Sequence, residues 1–148
     1  MDATENKAGE PAIALTDDDD PSIRDAIGAA LRRYNDEQAG PSGQRALSIT
    51  IRDPDTNEII GGLTGRTSRG LLFIDLFTLP AHLRRAGLGS RILGMAEAEA
   101  KRRGCRAAML YTISFQAPDF YRRQGYSVLG EVEGDPGATR IFLTKKLV

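Results

Sequence analysis

The sequence predicts one domain of the mixed α/β class, with elements in the order β-α-β-β-β-α-β-α-β-β. Three observations predict it. Apolar runs of period two alternate with longer runs at helical spacing. Two strands, residues 71–79 and 107–115, are apolar on both faces, as the middle of a sheet requires. The chain has 148 residues, the length of one domain with one sizeable core.

Composition narrows the class. Hydrophobic residues make up 41% and charged residues 27%, which fits a folded globular chain and excludes wholesale disorder. No apolar run approaches the roughly 20 residues of a membrane-spanning helix, and no membrane partner is expected. The first residues show no basic-then-apolar leader, so a cytoplasmic location is expected. Cys105 and His82 are single examples of their kinds, which leaves no disulfide framework and no Cys/His metal site to expect. Net charge is zero, yet residues 1–20 hold seven acids and one base. Between Arg84 and Arg106 seven bases face two acids. A nucleic-acid binder would show a stronger overall excess. A local cluster fits one small polyanionic ligand.

Each element has its own signal. Residues 1–10 read as a frayed tail and residues 11–148 as the domain. Ala12–Leu15 reads as a short edge strand. Asp20 caps a helix that opens on Pro21. Ile23, Ala26, Ile27, Ala30, Leu31 and Tyr34 give that helix a face to bury. It ends before Gly40-Pro41-Ser42-Gly43. Leu47, Ile49 and Ile51 alternate with polar residues as a half-buried strand. Asp53–Asn57 makes the next turn. Ile59–Leu63 is a strand, Ser68-Arg69-Gly70 a turn, and Leu71–Leu79 a central strand. A loop then leads to a long helix reaching Arg103, with Ile92, Leu93, Ala96 and Ala100 as its apolar stripe. Lys101, Arg102 and Arg103 suit its C-terminal dipole, and Gly104 stops it. Ala107–Phe115 is the second central strand. A short helix, Pro118–Gln124, precedes two last strands, Val128–Val132 and Ile141–Leu147.

The chemistry lies between Leu79 and Arg91. The first N–H groups of a helix have no internal acceptor and carry partial positive charge. Glycines let an anion approach that backbone, and Arg84 and Arg85 add full charges beside it. Together these residues fit a pyrophosphate. Gly87-Leu88-Gly89-Ser90 lacks the third glycine of a dinucleotide fingerprint and the Gly-Lys-Ser/Thr ending of a P-loop. The plain alternative is a helix cap with two solvated arginines.

Arg84-Arg85-Ala86-Gly87-Leu88-Gly89 resembles the Arg/Gln-x-x-Gly-x-Gly/Ala motif of the GNAT superfamily of N-acetyltransferases. Ala117–Tyr126 is similar to that family's Ala-x-x-x-Phe/Leu-Tyr-x-x-x-Gly-Phe/Tyr segment, and Ile141–Leu147 to its last strand. The resemblance covers residues 45–148 well and residues 12–40 by pattern. It implies a mostly antiparallel central sheet flanked by helices, with acetyl-CoA as co-substrate. It places the pyrophosphate on Arg84, Arg85, Ala86, Gly87, Leu88, Gly89 and Ser90. It also implies that residues 71–79 and 107–115 splay apart, so that Phe77 and Leu79 offer backbone groups to the pantetheine arm. Ser114 stands where many members have asparagine. Tyr121 matches the family's general acid for the departing thiolate. The implied reaction is direct attack of a primary amine, on a small molecule or a protein, within a ternary complex. Homodimers are common in the family.

Several residues keep two readings. Tyr121 could instead be an aromatic packed between helix and sheet. Asp75 is the one acid of its strand; sharing a face with Phe73 and Phe77, it would be buried with a raised pKa suited to a general base. It could instead serve an ion pair. His82 reads as an exposed loop residue, Asp119 as a first-turn dipole partner, and Cys105 as a small buried hydrophobe. The expected acceptor pocket is built from residues 35–45, the Arg66–Gly70 turn and the Glu133–Ala138 loop. The rival function is a non-catalytic acyl-CoA sensor or protein-interaction module, which would need neither Tyr121 nor Asp75.

Overall fold

The computed structural model describes residues 8–148. The expected tail, residues 1–10, therefore falls largely outside the described residues. The chain divides into two compact units, one ending at Pro41 and the other spanning Ser42–Val148.

The first unit is helix α1, Pro21–Ala39, with its leading segment. Asp20 caps it as expected: its carboxylate accepts from the Ser22 N–H at 2.9 Å. That bond also holds the Asp20 carboxyl below its ordinary range. Two expectations are corrected here. Residues 12–15 form no strand, because their unit supplies no neighbour to complete a ladder. The stripe of Ile23, Ile27, Leu31 and Tyr34 is exposed, because one helix has nothing in its own unit to bury a face against.

The second unit is a six-stranded sheet in the order β1-β2-β3-β4-β6-β5. Its strands are β1 (Arg45–Arg52), β2 (Ile59–Ser68), β3 (Leu71–Thr78), β4 (Ala107–Ile113), β5 (Ser127–Val132) and β6 (Arg140–Lys146). All neighbours are antiparallel except β3 and β4, which are parallel. Helix α2, Leu88–Arg102, crosses between β3 and β4, and helix α3, Pro118–Arg123, follows β4. The strand β2 runs five residues past its expected end, to Ser68. Gly61 and Gly62, inside it, mark close approach to the neighbouring strands. A Cβ on Gly62 would lie 2.1 Å from the Ile49 carbonyl oxygen, so only glycine fits.

One face of the sheet makes the core. Leu47, Leu63, Leu72, Ile74, Ala108, Leu110, Ile141 and Leu143 meet Ile92, Leu93, Ala96 and Ala100 of α2. The stripe on α2 is thus the predicted one. Both α2 and α3 end in the same hydrogen-bonded cap. Gly104 and Gly125 take positive φ, and the following residues, Cys105 and Tyr126, donate back to Ala100 and Tyr121 at 2.9 and 3.0 Å. Each cap turns its following side chain into the core, where Cys105 and Tyr126 are buried.

Candidate active site

The sheet opens at one place. β3 and β4 pair only at Leu71, Leu72 and Phe73, against Ala107, Ala108 and Met109. Beyond Phe73 the remaining length of β3 has no partner on β4. The expected splay is therefore present.

A bulge shapes the open end. Thr64 pairs with Leu76 and Gly65 with Ile74, so Asp75 is the extra residue. One extra residue exchanges the faces beyond it. Leu72 and Ile74 are buried in the core, and Phe77, three positions on, packs on the same core. Phe73 lies on the other face, under the Arg66 guanidinium at 4.5 Å. Asp75 is exposed and does not share a face with Phe73 and Phe77 as a regular strand would require. The burial expected for its carboxylate is absent.

After Pro80 the chain makes a single 3-10 turn, Ala81–Leu83, and reaches α2 through Arg84, Arg85 and Ala86. Arg85 and Gly87 both take positive φ, 68° and 75°. Gly87 is the cap residue and supplies no side-chain oxygen, so the N–H groups of Leu88, Gly89 and Ser90 keep no side-chain cap. The first bond inside the helix runs from the Arg91 N–H to the Gly87 carbonyl at 3.1 Å. Gly89 is buried against Phe120 and Leu79, where a Cβ would sit 3.3–3.4 Å from both. Arg84 and Arg85 are exposed, and among the described residues neither forms an ion pair. Arg84 Nε donates to the Leu79 carbonyl oxygen at 3.2 Å, which folds the guanidinium over the end of β3. The result is a run of N–H groups without a side-chain cap, beside two cations that form no ion pair among the described residues.

Tyr121 comes from α3. Its ring stands edge-on to Phe77, Phe120 and Tyr126, at 6.5, 5.2 and 5.9 Å. The residue is 7% exposed, and burial pushes the hydroxyl up to about 12. No protein group among the described residues hydrogen-bonds it, and it is not among the sealed polar atoms, so solvent reaches it. Tyr121 is thus both a packed aromatic and an available hydroxyl at the open end of β3.

Ser114 is engaged differently. Its hydroxyl donates to the Gly137 carbonyl at 3.0 Å and accepts from the Thr139 N–H at 3.1 Å. It fastens the β5–β6 loop to the end of β4. That loop therefore borders the opening. The Arg66–Gly70 turn does not: it joins β2 to the start of β3, the opposite end from Leu79. The expected acceptor pocket is corrected on this point. The β1–β2 turn lies there instead, since Gly62 pairs with both Thr50 and Thr78 and puts residues 53–57 at the open end. Asp53 accepts from the Asp55 and Thr56 N–H groups at 2.8 and 3.0 Å, which lowers its pKa; the nearby His82 adds a small effect of the same sign.

Sequence reasoning missed one cluster. Glu97, on the buried face of α2, accepts from the Tyr126 hydroxyl at 3.1 Å and from Lys145 Nζ at 2.7 Å. A lone glutamate on an apolar stripe was its one visible signal. A separate groove of about 620 Å³ between β1 and the far half of α2, lined by Leu47, Ile49, Met95 and Arg102, includes none of the candidate site residues. Among the described residues no three metal-ligating side chains converge, and no helix is long and apolar enough to cross a membrane.

The site is thus a mixed sheet that parts beside an arginine-flanked helix start, with a buried tyrosine at the opening. The acetyltransferase (GNAT) family model matches residues 13–126. The chain is 39% identical over 120 residues to acetyltransferase Atu2258 of Agrobacterium fabrum, covering 81% of this chain and 87% of that one. It is 36% identical over 135 residues to the blasticidin-S acetyltransferase of Streptomyces morookaense, covering 90% and 93%. A crystal structure assigned as an acetyltransferase from Agrobacterium tumefaciens superposes with a TM-score of 0.85 at 36% identity, covering 92% of this chain and 99% of that one. The chain belongs to the GNAT family and is an acyltransferase. The non-catalytic sensor or interaction module is thereby set aside.

Proposed function

We propose that this enzyme moves an acetyl group from acetyl-CoA to a primary amine by direct attack in a ternary complex. The observation that carries the proposal is the juxtaposition of the β3–β4 opening with the free N–H groups of α2. Arg84, Arg85, Ala86, Gly87, Leu88, Gly89 and Ser90 would hold the pyrophosphate. Phe77 and Leu79 would meet the pantetheine arm through their backbone, Leu79 once Arg84 releases its carbonyl. Ser114 would contribute only through its remaining lone pair.

The amine nitrogen attacks the thioester carbon, the C–N bond forms, and the C–S bond breaks. A backbone N–H at the end of β3 would stabilise the oxyanion between these events. An alkylammonium ionises near ~10.4, so the amine must first lose a proton. Asp75 would take it through water, which its exposure allows. Tyr121 would donate to the departing sulfur. A thiol ionises near ~8.5, and Tyr121 near about 12. Full proton transfer from Tyr121 is therefore uphill, and its contribution is a hydrogen bond that strengthens as charge reaches the sulfur.

The acceptor would enter over the Asp53–Asn57 turn and the Glu133–Ala138 loop. The likeness to an enzyme named for blasticidin S favours a small-molecule amine over a protein amine. The experiment is calorimetric titration with acetyl-CoA, followed by thiol release with a panel of primary amines that includes blasticidin S. Saturable binding and amine-dependent release are expected. Binding without release for any amine would overturn the proposal.

A further inference from the structure

Gln124 is the cap residue that follows α3, just before Gly125, and it has no part in the proposed reaction. Its Nε2 donates to the Ser90 hydroxyl at 2.8 Å. Ser90 is the third residue of α2, one of those whose N–H keeps no side-chain cap. A serine hydroxyl that accepts a hydrogen bond still has its own proton to give. While it accepts from Gln124, the Ser90 hydroxyl keeps its proton for another acceptor.

The donor is also held in place. Gln124, Gly125 and Tyr126 form the cap of α3, with backbone bonds of 3.0–3.1 Å from these residues to carbonyls of α3. Tyr126 is then tied by its hydroxyl to Glu97, and Glu97 to Lys145. Ser90 and Glu97 stand seven residues apart on α2, two turns along one face. The end of α3 is thus fastened to α2 at two points, one at the helix start and one in the core. The second point holds the backbone of Gln124 close to Ser90, within reach of its side chain.

We propose that Gln124 is a positioning residue for the phosphate grip. It fixes Ser90 as a hydrogen-bond donor toward an anion at the start of α2, and it sets that donor in register with Tyr121 three residues earlier on α3. The inference rests on the reading of the loop as the pyrophosphate site.

The test compares acetyl-CoA with S-acetylpantetheine, which lacks the phosphates, in the wild type, Gln124→Ala, Gln124→Glu, Ser90→Ala and the Gln124→Ala/Ser90→Ala double variant. Gln124→Ala should weaken acetyl-CoA binding about 3- to 10-fold, the worth of one hydrogen bond, and leave the KM for S-acetylpantetheine unchanged. Gln124→Glu should weaken it further, because its carboxylate draws the Ser90 proton away and repels the ligand. In the Ser90→Ala background Gln124→Ala should add no loss. Equal losses on both donors, or losses that multiply with Ser90→Ala, would overturn the role of Gln124. A wild type that binds acetyl-CoA no better than S-acetylpantetheine would overturn the pyrophosphate reading itself, and this inference with it.

Discussion

Phe73 and Phe77 lie four residues apart on one strand yet face opposite sides of the sheet. Phe73 supports Arg66 on one face, and Phe77 supports Tyr121 on the other. The single extra residue, Asp75, produces the exchange. In a regular strand Phe77 would point away from α3, and Tyr121 would lose one of its three aromatic neighbours.

Tyr121→Phe should lower kcat by about 10²-fold or more, the usual worth of a positioned proton donor, while the dissociation constant for acetyl-CoA stays the same. Its hydroxyl has no protein partner among the described residues, so the melting temperature should hardly move. Steady-state rates, calorimetry and a thermal scan separate the three effects. A silent substitution would leave Tyr121 with packing alone.

Asp75→Asn should lower kcat/KM for the amine at least about tenfold near neutral pH. Raising pH should narrow the gap, because the free amine becomes abundant without a base. A rate equal to wild type across the pH range would assign proton removal to water.

Two glycines predict opposite responses. Gly65→Ala would put a Cβ 2.3 Å from the Phe73 carbonyl oxygen, beside the bulge. It should cost about 3 kcal/mol or more by urea unfolding. Gly94→Ala meets nothing within 4 Å on α2. It should stabilise by about 0.5–1 kcal/mol, since alanine favours a helix over glycine.

Alkaline stability follows from Tyr121. Its pKa rises from 10.0 to about 12 through burial. The folded state therefore keeps a proton that the unfolded chain gives up. That contribution is complete below pH 10.0 and is lost as pH climbs through about 12. Urea midpoints of the wild type should fall over this range more steeply than those of Tyr121→Phe. Tyr126 shifts the same way, through burial first and the Glu97 charge second, so the variant should retain part of the slope.

Acid stability points to Glu99. Hydrogen bonds from Arg102 and Arg103 lower its pKa from 4.5 to about 2. Its contribution is present above pH 4.5 and fades as pH falls toward about 2. The difference in urea midpoint between wild type and Glu99→Gln should shrink over that interval. Arg103 also donates to the Ala46 carbonyl and Thr67 Oγ1 at 3.0 and 3.1 Å, so its loss should loosen β1 at any pH.

Most of the fold was legible in the residues. Asp20-Pro21, the stripe on α2 and Gly104 each act within a few positions of themselves, and local chemistry settled them. The loop from Arg84 to Ser90 was legible for the same reason. The bulge was not, because Asp75 becomes an extra residue only when β2 is laid beside β3. That pairing is also what separates Phe73 from Phe77 and leaves Asp75 exposed. Ser114 looked free because its partners, Gly137 and Thr139, lie more than 20 residues downstream. Glu97 is a long-range case too, joined to Tyr126 and Lys145 across 29 and 48 residues. The segment at Ala12 has strand composition, but composition supplies no neighbouring strand.

The parting of β3 from β4 has a consequence for how such an enzyme can change. A donor held by peptide groups, as proposed, would meet atoms that every amino acid shares, so replacing side chains along the end of β3 would leave that recognition nearly intact. The Asp53–Asn57 turn and the Glu133–Ala138 loop, where the proposed acceptor would enter, are almost wholly exposed and carry little of the core. On the proposed function, novelty would accumulate on one rim of the opening while the other stays constant, and a new acceptor would be adopted without changing how the donor is held.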